Sequence, residues 1–129
     1  MALTYTYNAD LCIIEIICKG IIFSNELVSE QTPVFSLAKE HNTDMFLLDL
    51  TNYERSLSPV DILSGVSSYR DKTTPRIRIA VVAPISEEAR QDIQFYENVC
   101  VNRGWNARVF AERQEAIDWL VNRGGRITP

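Results

Sequence analysis

Two nearly continuous apolar runs, each followed by a helical pattern, constrain the fold more than any other feature of this sequence. The runs occupy residues 44–50 (Asp-Met-Phe-Leu-Leu-Asp-Leu) and 77–83 (Ile-Arg-Ile-Ala-Val-Val-Ala). Strands that are covered on both faces of a parallel sheet have this composition, whereas half-exposed strands alternate apolar and polar residues. Because neighbouring parallel strands need a crossover connection, the helical patterns that follow the runs predict an α/β domain.

The helices after these runs are predicted from their starts and their apolar spacing. Ser58-Pro59-Val60-Asp61 opens one helix and Ser86-Glu87-Glu88 opens the next, since these residues cap helix starts and complement the helix dipole. Gly104 is expected to end the second helix, before a short strand over 105–110 and a last helix over 113–123. The positions expected to face the core are Val60, Leu63, Val66 and Tyr69, then Ala89, Ile93, Tyr96 and Cys100, then Ala116, Ile117 and Leu120.

The first twenty residues predict an antiparallel hairpin. Segments 4–7 and 11–19 are rich in β-branched and aromatic residues, and Asn8-Ala9-Asp10 between them is typical of a turn. Alternation along the second segment places Cys12, Ile14, Ile16 and Cys18 on one face, so both cysteines are expected to point inward.

A helix with an internal proline is predicted between the hairpin and the first apolar run. Ser24 is the expected N-cap, and Pro33 is expected to break or kink the helix, with Thr32 capping a restart. The complete order is therefore ββαβαβαβα, a mixed and mostly parallel sheet with an antiparallel N-terminal hairpin. We expect one domain over residues 1–123 and a flexible tail over 124–129.

Composition and charge narrow the classes of function. The formal charge is −4 and the pI is about 5.0, so phosphate backbones should repel the chain and nucleic acid is not an expected partner. No run approaches the ~18 apolar residues of a membrane span and the start lacks signal-peptide features, which predicts a cytoplasmic protein. Three cysteines in no CxxC pair and a single histidine indicate neither a disulfide framework, nor a metal site, nor a cofactor.

The loops at the carboxyl ends of the parallel strands are the first place to look for function, because ligands bind there in open α/β sheets. They are predicted at 51–57, 84–86 and 111–112. Asp49, placed at a strand end, has two interpretations: a phosphoacceptor or metal ligand, or a carboxylate that binds loop amides. His41 is expected to be a surface residue at a helix end.

Ser58 also has two interpretations. It is the natural N-cap of the helix it opens, and a phosphate on its hydroxyl would meet free amides and a favourable helix dipole. No nucleophile, base and orienting group can be grouped from the sequence, and GxSxG, HExxH and Gly-rich phosphate loops are missing, so we do not expect an enzyme.

The chain resembles the STAS domain, in its SpoIIAA-like (STAS/SEC14-like) branch. The resemblance rests on the order of elements and on three stretches: 16–22 (Ile-Ile-Cys-Lys-Gly-Ile-Ile), 46–50 (Phe-Leu-Leu-Asp-Leu), and 79–83 (Ile-Ala-Val-Val-Ala) with 111–120 (Ala-Glu-Arg-Gln-Glu-Ala-Ile-Asp-Trp-Leu). In STAS anti-sigma-factor antagonists an Asp-Ser-Ser-Gly motif follows the central strand, and its first serine is phosphorylated. Here the matching segment is Leu57-Ser58-Pro59-Val60, which retains that serine alone.

The resemblance implies a regulatory or protein-interaction module that presents the loop and helix after the central strand to a protein partner. We expect the partner-binding residues to be Tyr53, Arg55, Ser56 and Ser58. The alternative that it implies is a small apolar or lipid-like ligand between the helices and the sheet, in a pocket of Val34, Phe35, Leu37, Leu63 and Val66. The hairpin edge leaves a pairing surface for a homodimer.

Overall fold

The computed structural model describes residues 3–125, with side chains through residue 122. The sheet contains five strands: β1 Leu3–Asn8, β2 Ile13–Gly20, β3 Met45–Tyr53, β4 Arg78–Val82 and β5 Asn106–Phe110. The α-helices are α1 Ser24–Ser29, α2 Gln31–Glu40, α3 Pro59–Ser67, α4 Glu87–Asn102 and α5 Arg113–Gly125, and α3 continues into a 3-10 turn at Ser68–Asp71. Among the helices of this part of the chain, none has the length and apolar character needed to cross a membrane.

The strands lie in the sheet in the order in which they occur in the chain. Strands β1 and β2 pair antiparallel, and β2, β3, β4 and β5 pair parallel, which confirms the predicted α/β class, the mixed sheet and the N-terminal hairpin. Connections between successive parallel neighbours share one handedness, so their helices collect on one face of the sheet.

The two faces of the sheet bury separate apolar clusters. The larger cluster packs α2, α3 and α4 against one face, through side chains such as Phe35, Val66 and Cys100. The smaller cluster packs α5 against the other face, through Ala116 and Leu120. Strands β3 and β4 contribute to both clusters, which accounts for their continuous apolar sequences.

The prediction that Cys12 points inward was wrong. Cys12 is exposed and has a φ of 60° at the end of the hairpin turn, so the strand begins at Ile13, two residues after its predicted start. From there the alternation is as predicted, since Ile14, Ile16 and Cys18 face the larger cluster. The turn contains four residues, 9–12, and not the predicted three, 8–10, because the left-handed conformation at Cys12 extends it.

The predicted break in the N-terminal helix is present, but at Glu30 rather than at Thr32 and Pro33. Glu30 ends α1 and starts α2, which makes Pro33 the third residue of α2. The first backbone N–H groups of a helix have no intrahelical acceptor, so a proline at this position removes no hydrogen bond. Ser24 is not the N-cap of α1: Phe23 occupies that position, and no side chain caps it.

The predicted inward face of α3 was also wrong at two positions. Val60 is 70% exposed and Leu63 is 38% exposed, whereas Ile62, Gly65 and Val66 are buried. Gly65 has no side chain, and its carbonyl accepts a hydrogen bond from Gln31 Nε2 at 2.9 Å, so α3 turns this residue toward α2. The apolar spacing of α3 fits two different inward faces, one with Val60 and Leu63 and one with Ile62 and Gly65, because Val66 lies on both.

The later elements match their predictions closely. Ser86 caps α4 by accepting from the Ala89 amide, and the four predicted inward positions of α4 are buried: Ala89, Ile93, Tyr96 and Cys100. Gly104 follows α4 with a φ of 88°, a left-handed conformation that glycine adopts without strain. Helix α5 extends through Gly125, two residues into the predicted tail, and residues 126–129 of that tail lie outside the described part of the chain.

Candidate functional site

The carboxyl edge of the sheet, defined here as the segments 20–23, 53–63 and 84–86, carries most of the predicted site residues. Backbone hydrogen bonds join the segments along this edge. The Glu54 amide donates to the Gly20 carbonyl at 2.9 Å, and the Ile85 amide donates to the Thr51 carbonyl at 3.1 Å. The three segments therefore lie side by side, in the order of the strands β2, β3 and β4 that precede them.

Tyr53 ends β3 and organises the loop that follows. Its side chain is buried, and its hydroxyl oxygen accepts the backbone N–H groups of Ser56 and Leu57, both at 3.2 Å. Strand β3 ends three residues later than predicted, so the loop begins at Glu54 and not at Thr51. Tyr53 consequently stabilises the loop from beneath its backbone.

A buried carboxylate on α4 reaches the same loop. Asp92 is only 8% exposed; its Oδ1 accepts from Arg55 Nε at 3.2 Å, and its Oδ2 lies 3.5 Å from the Tyr53 hydroxyl. Asp92 was not among the predicted site residues, because its position in the middle of a helix gives no sign of a partner on another element. Its position on the apolar stripe of α4, one residue before Ile93, is the signal that could have singled it out.

Ser56 joins the β3–α3 loop to the β2–α1 loop. Its hydroxyl accepts from the Ile22 amide at 3.2 Å and donates to the Ile22 carbonyl at 3.0 Å. Both hydrogen-bonding functions of this hydroxyl are thus used within the chain. Of the four predicted partner-binding residues, Tyr53 and Ser56 brace the loop, and Arg55 and Ser58 have their side chains at the surface.

Ser58 forms a capping box at the start of α3. Its Oγ accepts from the Asp61 amide at 3.1 Å, and Asp61 Oδ2 accepts from the Ser58 amide at 3.0 Å. The predicted capping role of Ser58 is confirmed by these two hydrogen bonds. The residue is exposed, so its hydroxyl also faces solvent.

Asp49 lies within β3 and binds its own strand. Its Oδ1 accepts from the Thr51 amide at 3.0 Å and from the Thr51 hydroxyl at 2.6 Å, which agrees with the interpretation of this residue as a carboxylate that binds backbone amides.

His41 is the C-cap of α2 and lies away from the carboxyl edge. Its ring stacks on the ring of Tyr7, with 3.8 Å between the ring centroids. Among residues 3–122, no group of three or more potential metal-ligating side chains comes together.

Large apolar side chains are exposed along the carboxyl edge. Six large apolar residues are exposed within residues 3–122, and five of them belong to this edge, with exposures from 38% at Leu63 to 71% at Ile85. The five are Ile21, Phe23, Val60, Leu63 and Ile85. The sixth, Val101, is near the end of α4.

An apolar cavity lies between the sheet and α1, α2, α3 and α4. It consists of two adjoining pockets of about 80 and 70 Å3, called here its two lobes because six residues line both of them: Leu3, Leu27, Gln31, Leu48, Tyr69 and Tyr96. Of the predicted pocket residues, Val34 and Phe35 line the first lobe and Val66 lines the second. Leu37 and Leu63 line neither lobe, and Leu63 is on the outer face of α3.

The cavity wall includes a pair of tyrosine hydroxyls in a mostly apolar surrounding, in addition to the Gln31 side chain that lines both lobes. The hydroxyls of Tyr69 and Tyr96 lie 2.8 Å apart, and burial raises the pKa of both phenols well above the usual range. Both tyrosines are therefore neutral; one hydroxyl donates to the other, and the accepting hydroxyl keeps its own O–H as a donor.

Two thiols near this cavity are also kept neutral. Burial raises the pKa of Cys18 to about 11 and the pKa of Cys100 to about 12. A thiolate is the reactive form of cysteine, so neither residue has the properties of a catalytic nucleophile at neutral pH.

No protein-family model matches this chain, and no curated protein matches it significantly.

Proposed function

We propose that this chain is a non-catalytic protein-interaction module that binds a partner protein through the carboxyl edge of its sheet. The observation that carries the proposal is the concentration of exposed apolar side chains on three neighbouring segments of that edge. Single exposed apolar residues are common on any protein, whereas a group of them on adjacent loops is typical of an interaction site.

The construction of the edge supports the proposal. The Tyr53, Ser56 and Asp92 hydrogen bonds fix the loop between β3 and α3, so little conformational entropy is lost when a partner binds it. Arg55 is 55% exposed beside the apolar side chains. Arginine and aromatic residues such as Phe23 are enriched among the residues that dominate binding energies at protein interfaces.

A pull-down with surface variants tests the proposal. Phe23→Ser, Val60→Asp and Ile85→Asp each place a polar group on the edge, at a residue whose side chain is already exposed, so the fold should be retained. Val101→Asp is the matched control, since it makes the same change at an exposed apolar residue outside the edge. We expect a partner recovered with the wild type and the control to be lost with all three edge variants.

Equal recovery of that partner with the edge variants and the control would refute the assignment of the surface.

The expected homodimer is a separate question, because β1 is an outer strand of the sheet and, within residues 3–125, pairs with β2 alone. Light scattering at several protein concentrations decides it. A dimer that persists in the three edge variants places self-association elsewhere on the molecule.

A second candidate function, binding of a small apolar ligand, is favoured by the cavity. An engineered cavity of about 150 Å3 in another protein stays dry and binds benzene, and the two lobes together approach that size. Most sites for drug-sized ligands are larger, at about 300–1,000 Å3, so the cavity as it stands suits a single-ring molecule and not a lipid.

Methyl NMR spectra recorded during a benzene titration test the second function. Saturable shifts are expected for Val34 and Leu48, which line the cavity, and not for Leu47 and Leu120, which pack on the opposite face of the sheet. Shifts that are absent, or equally large on both faces, would exclude the cavity as a ligand site.

A further inference from the structure

A second pocket lies at the amino edge of the sheet, defined here as the end where β3, β4 and β5 begin. Its volume is about 290 Å3. The end of α3, the 3-10 turn and the end of α4 surround it, and its lining residues are Val66, Ser67, Arg70, Thr73, Pro75, Arg103 and Trp105. It is on the opposite side of the molecule from the proposed partner-binding edge.

Four of the lining side chains are polar and have no partner within the described part of the chain. The guanidinium groups of Arg70 and Arg103 form no ion pair there, and these groups and the hydroxyls of Ser67 and Thr73 form no side-chain hydrogen bond. Arg55 and Arg113 are each paired with a carboxylate, whereas the exposed Arg90 is also unpaired within residues 3–122. Arg70 and Arg103 are exposed, Ser67 and Thr73 are half-buried, and all four line the same concavity, as the few polar groups of a binding site do.

The charge of the pocket is positive although the chain as a whole is acidic. Within residues 3–122 no carboxylate lines the pocket; Asp71, next to Arg70 in sequence, is exposed and is not part of its wall. The ends of α3 and α4 contribute about half a negative charge each, which two full guanidinium charges outweigh. The net local charge therefore favours an anion.

We propose that this pocket binds the dianionic phosphate of a small phosphate monoester. Two guanidinium groups can each donate paired N–H groups to phosphate oxygens, and the two hydroxyls add further donors. Val66, Pro75 and Trp105 form an apolar wall that suits the organic part of the ester. This site is independent of the proposed protein-interaction function, since the two share no residue.

Titration with phosphate compounds, followed by the NMR signal of the Trp105 indole N–H, tests the proposal. Inorganic phosphate and phenyl phosphate are the probes, and sodium chloride holds the ionic strength constant so that screening does not change. We expect saturable shifts with both probes and tighter binding of phenyl phosphate, because its ring contacts the apolar wall.

Arginine variants connect the binding to the pocket. Arg70→Gln and Arg103→Gln should each weaken phosphate binding about tenfold, since each removes charged hydrogen bonds to the anion. Arg90→Gln, which removes the same charge from an exposed position on α4 outside the pocket, should change the affinity by less than about twofold. Because Arg103 is the C-cap of α4, a melting curve checks each variant, and Arg70→Gln carries the test if Arg103→Gln does not fold.

Two results would overturn the proposal. One is a Trp105 signal that shows no saturable response to either probe. The other is an equal loss of affinity in Arg90→Gln and Arg70→Gln, which would mean that phosphate responds to the overall charge of the protein and not to this pocket. Neither result would bear on the partner-binding edge, which the pull-down tests separately.

Discussion

Arg55 Nε and Asp92 Oδ1 lie 3.2 Å apart and join the loop after β3 to helix α4. The two partners differ in their environment, because Arg55 is 55% exposed and Asp92 is 8% exposed. If Asp92 is replaced, the exposed Arg55 side chain becomes hydrated. If Arg55 is replaced, the buried Asp92 carboxylate is left without a cation. The cost of removing each partner should therefore differ.

We expect Arg55→Gln to destabilise the protein more than Asp92→Asn does. Arg55→Gln leaves the buried Asp92 carboxylate with the Tyr53 hydroxyl but without a cation. It should lower the free energy of unfolding by about 1–3 kcal/mol. Asp92→Asn replaces that carboxylate by a neutral group of the same size, which should cost about 1 kcal/mol or less. Urea unfolding measures both values.

Arg90→Gln is the control for this comparison, because Arg90 is exposed on the same helix and its side chain has no partner within residues 3–122. Its effect should stay within about 0.5 kcal/mol. A larger loss in Asp92→Asn than in Arg55→Gln would show that the burial of Asp92 does not control the energetics of this loop.

Ser58→Ala should lower the free energy of unfolding by about 1 kcal/mol, since it removes the side-chain cap of α3. Ser58→Asp should restore most of that loss, because aspartate caps helices as well as serine does and is favoured by the helix dipole. Thermal and urea unfolding of the two variants give the values.

Ser24→Ala is the matched control for the cap, because Ser24 is the first residue of α1 and not its cap. We expect a change within about 0.5 kcal/mol at this position. If Ser24→Ala and Ser58→Ala had equal effects, the capping box would not account for the stability that Ser58 provides.

The sequence predicted the order of the elements well because its signals there are local. The apolar runs of β3 and β4, and the capping pattern from Ser58 to Asp61, each depend on a few consecutive residues. The inward face of α3 could not be predicted in the same way. It depends on Gly65 and on its hydrogen bond with Gln31, which is 34 residues away in the chain.

The candidate sites were predictable only in part, for the same reason. Topology placed the loop after β3 at the carboxyl edge, since carboxyl ends of parallel strands meet at one edge, but residues 51–53 of the predicted loop belong to β3. The hydrogen bond that braces this loop joins Arg55 to Asp92, and Arg70 and Arg103 both line the pocket at the amino edge, so each feature combines positions more than 30 residues apart. No spacing within the sequence reports such contacts.

Cys12 should be the single thiol that reacts in the folded protein among the three of this chain. It is exposed, whereas Cys18 and Cys100 are buried and their pKa values are raised to about 11 and about 12. Treatment with iodoacetamide at pH 8 should add one adduct to the native protein and three to the protein in guanidinium chloride, as counted by intact mass. Cys12→Ala should reduce the native count to zero, and rapid labelling of two or more thiols in native protein would contradict the burial of Cys18 and Cys100.

The same two buried thiols should make the protein less stable in alkaline solution. Burial raises their pKa values in the folded state, so the folded protein holds these protons more tightly than the unfolded chain, whose thiols titrate near pH 9. Their contribution to stability is complete below about pH 9 and is lost as the pH rises toward 11 for Cys18 and 12 for Cys100. Urea unfolding between pH 8 and pH 11 should show this decline. Cys100→Ala should make it shallower and Cys12→Ala should leave it unchanged, whereas identical slopes in all three proteins would mean that the buried thiols do not determine the alkaline limit of the fold.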